Sequence, residues 1–134
     1  MKTFARTTTL TSSQVNGLGT TAIIVVPAPQ AGYAIIPHSL ILVKKSGTAV
    51  GTSAGAIGIG YDGSSALVIS VASTQAQSVL STGAAASAYT TAVSAGSAGA
   101  GVYSGKALDI YASGAVASFD GTLQVTVLFN IVKI

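Results

Sequence analysis

The chain has no cysteine and no glutamate, a single histidine, and very little charge of either sign. Without cysteine there is no disulfide framework and no thiolate-ligated metal, a composition that fits a protein made in the cytosol. With carboxylates confined to Asp62, Asp109 and Asp120, no pair or cluster exists for acid–base work or for holding a cation. No run approaches the roughly 18 apolar residues of a membrane span. The best stretch, Tyr33 to Val43, is broken by Pro37 and His38, and the first ten residues lack a signal peptide's apolar core, so no membrane partner is expected. Charged residues are 7% of 134, against 49% hydrophobic residues with few aromatics. A folded chain of this mass exposes roughly 6,000 Å², about one charge per 700 Å². Either serine and threonine solvate the surface or partners cover much of it, and the composition favours both together. The many small residues suit close packing between subunits. The net charge of +3 comes from cations scattered along the chain rather than a basic patch, which argues against nucleic acid. Only Lys44-Lys45 stand together, and they read as a solvated strand end.

What is present is β grammar. From Thr122 to Lys133, after the turn pair Asp120-Gly121, Leu123, Val125, Val127, Phe129 and Ile131 fall on one face and Thr122, Gln124, Thr126 and Asn130 on the other. Leu128, Val132 and Ile134 break the polar face. The strand spans about 40 Å, long for a free-standing sandwich, and its second face turning apolar predicts a second buried surface there. Upstream, Thr3 to Thr11 is a first strand or an extended arm, followed by an Asn16-Gly17 turn signal. Thr20 to Val26 ends at Pro27, Tyr33 to Lys45 carries an edge position or a bulge at Pro37, and two strands flank the hairpin signal Asp62-Gly63. Gly58 and Gly60 leave one face of their strand bare for another backbone. Thr74 to Ser81 suits one or two helical turns. Residues 81–105 form a low-complexity Ala/Ser/Gly/Thr excursion that cannot build a core. Lys106 to Ala112 resumes alternation with Leu108, Ile110 and Ala112 inward.

Seven or so short strands with little helix predict an all-β, single-domain antiparallel β-sandwich, jelly-roll-like: an extended arm over residues 1–18 and the sandwich over 19–134. The arm offers only Phe4, Leu10, Val15 and Leu18 as apolar anchors, too few to order it alone. Together with Leu128, Val132 and Ile134 they are the expected assembly interface.

Chemistry motifs do not survive weighing. A nucleophilic site would need His38 and Ser39, which point to opposite faces of a strand. Asp62 and Asp120 precede glycines and read as turn residues. Asp109, outward with Tyr111, reads as an exposed polar pair or an interface contact. Gly58-Ile-Gly60 with Gly63 imitates a nucleotide-binding pattern, but no helix follows to meet a phosphate. Tyr33, Tyr61, Tyr89, Tyr103 and Tyr111 form either a sugar-stacking platform or, as scattered positions, core edges and interface anchors. No enzyme activity and no cofactor are expected.

Gly32 to Pro37 (Gly-Tyr-Ala-Ile-Ile-Pro), Ile59 to Gly63 (Ile-Gly-Tyr-Asp-Gly), Gly105 to Gly114 and Asp120 to Val132, with a variable Ala/Ser/Gly middle, resemble small tailed-bacteriophage virion proteins. The resemblance implies a non-enzymatic β-sandwich made in the host bacterial cytoplasm and resident on the virion. There it would act as a capsid decoration (cement) protein or the base of a head spike or fibre, commonly trimeric. The implied partners are the major capsid protein, further copies of the chain and a head-fibre protein. The alternative is a receptor- or glycan-binding module of a tail or fibre.

Overall fold

The threonine-rich start of the chain pairs with its end. In the computed structural model, which describes residues 2–48, 50–63, 67–82, 87–91 and 103–134, Thr3–Leu10 (β1) runs antiparallel to Thr122–Lys133 (β10). On its other side β10 pairs with Tyr33–Ser46 (β3), and β3 with Ser87–Thr91 (β7), giving a four-stranded sheet in the order β1-β10-β3-β7. A second sheet runs β2-β8-β5-β6, from Ile23–Val26 (β2), Leu108–Ala112 (β8), Ile57–Tyr61 (β5) and Leu67–Val71 (β6). Thr52–Ser53 (β4) and Val116–Ala117 (β9) make a small pair of their own. All pairings are antiparallel.

The core between the sheets is what the period-two pattern dictates. Leu123, Val125 and Val127 of β10 and Leu40 and Leu42 of β3 meet Val25, Ile57, Ile59, Ile69, Leu108 and Ile110 of the second sheet, all buried. Pro37 sits opposite Phe129 where the β10–β3 register shifts, and outside the Ser39–Val43 stretch that pairs with β7. Its missing N–H therefore interrupts no ladder on that side. A Cβ on Gly58 would come 2.4 Å from the Ile69 carbonyl oxygen, so the backbone that approaches there belongs to this chain's own β6. Gly63 supplies the positive φ of 84° at the β5–β6 turn.

Among the described residues two short helices complete the layers. Ser12–Asn16 (α1) opens with a capping box: the Gln14 N–H donates to Thr11 Oγ1 at 3.3 Å and the Thr11 N–H to Gln14 Oε1 at 2.9 Å. Asn16 then bridges to Phe119, its Nδ2 donating to the Phe119 carbonyl and its Oδ1 accepting the Phe119 N–H, both at 2.9 Å. Ser73–Ser81 (α2) buries Ala76, Val79 and Leu80, matching the helical turns expected there.

Three sequence readings change. Of the two readings of the N-terminus, the strand holds: residues 3–10 are a paired edge of the sheet, and Leu10, Val15 and Leu18 are core residues, so the segment does not stand off as an arm. Lys44 is not part of a solvated strand end, although Lys45 is exposed. It is 0% accessible, and its Nζ donates to the carbonyls of Leu80 at 2.9 Å, Thr82 at 2.7 Å and Thr48. The excursion over 81–105 contributes the tail of α2 and strand β7, and its residues 83–86 and 92–102 lie outside those described.

Candidate assembly surface

One face of β10 fills the core, which leaves the other to explain. The register puts Thr126 of β10 opposite Ile41 of β3, Gln124 opposite Val43, Leu128 opposite Ser39, Asn130 opposite Ile36 and Val132 opposite Ala34. From β1, Ala5 stands opposite Leu128, Thr7 opposite Thr126 and Thr9 opposite Gln124. The outward surface of this sheet is therefore a lattice of Ile36, Ile41, Val43, Leu128 and Val132 set among Thr, Gln, Ser and Ala. Among the described residues none of these positions carries Lys, Arg or Asp. The aliphatic side chains are half-buried.

Hydrogen bonds stiffen the face. Thr7 and Thr126 join hydroxyl to hydroxyl at 2.9 Å. Asn130 is buried, its Nδ2 donating to the Lys2 carbonyl and, at 3.3 Å, to Thr3 Oγ1, while its Oδ1 contacts His38 Nε2. His38 is thus a clamp between β3 and the β1–β10 pair, not half of a Ser-His site. At about 4.8 Å between strands and 3.3 Å per residue, the surface covers roughly 500–600 Å². About half of its positions are apolar, and the whole face is a large part of the roughly 800 Å² per partner of a stable interface.

The residues expected to form an interface divide accordingly. Leu128 and Val132 lie together on the outward face. Leu10, Val15 and Leu18 are 0–1% accessible in the chain's own core and so are unavailable to a partner. Phe4 points to the core side, stacked on Phe129 with ring centroids 5.7 Å apart and the Lys2 ammonium 5.3 Å from its centroid. Ile134 is 59% exposed just beyond the end of β10, its N–H held by the Gly32 carbonyl at 2.9 Å. Ile36, Ile41 and Val43 were missed. Their signal was in the sequence, since Tyr33 to Val43 is apolar at odd and even positions alike, as a strand buried on both faces is.

Elsewhere the polar groups are structural. The Asp120 carboxylate accepts the Thr48 N–H at 2.8 Å and the Thr48 hydroxyl, and these bonds hold it below the ordinary carboxylate range. Tyr61 donates its hydroxyl to the Ile35 carbonyl at 2.5 Å, and burial pushes that phenol up. Its ring meets the exposed Tyr103 edge-on at 5.1 Å. Around these rings Asp62, Gly63 and Lys106 line a shallow cleft of about 230 Å³. No group of three or more metal-ligating side chains exists among the described residues.

No protein-family model and no curated protein matches the chain. Solved structures do share its fold. It is similar to a chain of the cyanophage Pam1 capsid asymmetric unit, at 22% identity and a TM-score of 0.53, covering 96% of this chain and 82% of that one. It is also similar to a chain of the acid-stable capsid of Helicobacter pylori bacteriophage KHP30, at 11% identity and a TM-score of 0.50, covering 98% and 92%. At these identities the likeness is one of fold.

Proposed function

We propose that this chain is a non-enzymatic structural protein of a bacteriophage virion, bound to the capsid as a decoration (cement) or head-spike-base protein. The observation that carries the proposal is the outward face of β1, β10 and β3, where Ile36, Ile41, Val43, Leu128 and Val132 stand among uncharged Thr, Gln, Ser and Ala over an area of the order of an interface. The fold shared with chains of two phage capsid structures supports it, as does a strand order in which the chain alternates between two four-stranded sheets, the pattern of a jelly roll. In this reading the partners are the major capsid protein and further copies of the chain in a homotrimer, with a head-fibre protein above. The free edge of β1 is available for main-chain pairing with a neighbour. The test is light scattering and particle binding of the wild type beside Leu128→Asp and Ile41→Asp. Loss of association and of capsid occupancy in folded variants is expected. Folded variants that associate and bind as the wild type does would overturn the reading.

The Tyr61–Tyr103 cleft favours a second reading, a glycan-binding module. Tyr103 offers a ring face for an apolar sugar face, with Asp62 accepting from hydroxyls and Lys106 donating to them. Binding on a glycan array that Tyr103→Ala abolishes would support it over capsid decoration, and an empty array would remove it.

A further inference from the structure

Asp109, which the sequence reads with Tyr111 as an exposed polar pair or an interface contact, is 4% accessible within the chain itself. Its Oδ1 is buried without a hydrogen-bond partner, and so is the hydroxyl of Tyr111 two residues along the same face of β8. Among the described residues, the strands on either side of it offer no remedy. Gly60 stands opposite on β5 and Ile24 on β2, neither with a side-chain donor. The charged group that bears on Asp109 is Asp62, beyond the end of β5, a like charge; the titratable group beside it is Tyr111. An ionised carboxylate here is desolvated, repelled and deprived of donors for one of its oxygens. A neutral carboxyl loses the repulsion and most of the desolvation cost, and gains an O–H to donate.

We propose that Asp109 is a proton-uptake site that tightens the sandwich on acidification, making this protein more stable near pH 4.5 than at pH 7.5. Burial, and then Asp62, push its carboxyl up to about 6, against about 3.8 for the same group in the unfolded chain. The folded state therefore binds the proton more tightly. The added stability is lost as pH rises through about 6 and fully present only below about 3.8. Little else opposes the gain. There is no glutamate, and Asp120, whose carboxyl is lowered, weakens the fold only when pH falls below the ordinary carboxylate range. Neutralising all three aspartates raises the formal charge only from +3 to +6, the value of the six cations alone.

The experiment is urea unfolding of the full chain at pH 7.5, 6, 5 and 4.5, for the wild type, Asp109→Asn and Asp62→Asn. The wild-type folding equilibrium constant should rise on the order of ten- to a hundredfold across the range, a pKa unit being tenfold. Asp109→Asn should abolish the rise, and Asp62→Asn should move it to lower pH. A wild-type curve that is flat or falls towards pH 4.5, or a rise that survives Asp109→Asn, overturns the proposal. Should Asp109→Asn fail to fold, the Asp109 carboxyl carbon can be titrated by NMR in the wild type. A midpoint near 6 then supports the proposal and one at or below 4 overturns it.

Discussion

Replacing Lys44 with methionine puts a sign as well as a size at stake. Methionine has nearly the same reach and no charge, and exchanging a buried ion pair for packed apolar groups is often neutral or stabilising. What decides the matter here is the partner set. Lys44 Nζ is held by the carbonyls of Leu80, Thr82 and Thr48 and by the face of Phe119, 5.1 Å from the ring centroid, and all of these stay behind when the ammonium goes. The Leu80 carbonyl keeps the Gly51 N–H at 3.2 Å, which leaves those of Thr48 and Thr82 without their donor. Water reaches these two exposed residues, so each loss belongs at the low end, about 1 kcal/mol. The ring contact adds about 1–2 kcal/mol for a desolvated cation. Relief of the ammonium's own desolvation offsets about 1 kcal/mol of that, and the net is a destabilisation of about 2–3 kcal/mol. With a urea m-value of about 1–2 kcal/mol per molar for a chain of this size, the midpoint should fall by about 1–3 M. Hydrogen exchange should accelerate first at the end of α2, where two of the three carbonyls lie. A midpoint that is unchanged, or higher with α2 protection intact, would refute the reasoning and make Lys44 a tolerated cost rather than a tie.

The edge strand should be essential to the fold: Leu10→Ala should cost about 2–5 kcal/mol, and deleting residues 2–18 should leave a chain without a cooperative unfolding transition by circular dichroism. Gly121→Ala should destabilise by more than 2 kcal/mol in the same assay, because its Cβ would lie 1.6 Å from the Ser46 carbonyl oxygen and a backbone turn would have to open. If the outward sheet face carries attachment, apolar burial and main-chain bonds supply the energy. Copies retained on purified particles should then change little as sodium chloride is raised, and release at a few hundred millimolar would assign the energy to the cations instead.

Period two made the sandwich legible, because each strand's inner face had to be filled from alternate positions, and Leu123, Val125, Val127, Leu108 and Ile110 are where alternation puts them. It also announced a second apolar surface at Leu128 and Val132. It could not say which residues share that surface, since Ile41 and Leu128 become neighbours only through the register of β3 on β10. Buried polar groups were illegible for the same reason. A lysine near a strand end reads alike whether it meets water or the carbonyls of Leu80 and Thr82, and an outward aspartate reads alike whether its face is open or closed. The N-terminal segment looked too poor in apolar anchors to order itself, and by itself it is. Leu10, Val15 and Leu18 are ordered by a core that the rest of the chain supplies.

The end of β10 shows where alternation stops predicting burial. Ile131 falls on the inner face by count, yet it is 39% exposed, while Asn130, on the polar face, is buried. The strands of the second sheet are four or five residues long, against twelve in β10 and fourteen in β3. The first sheet therefore runs past the ends of those strands, and beyond Phe129 the inner face of β10 opens at Ile131, although Ile35 opposite it on β3 stays in the core. Burial in the overhang is set by local bonds, which is why Asn130, tied to Lys2, Thr3 and His38, is enclosed and Ile131 is not. The overhang brings Ile131 and Ile134 to the surface beside Val132 of the outward face, so a partner seated on that face and wrapped around this end would cover all three at once.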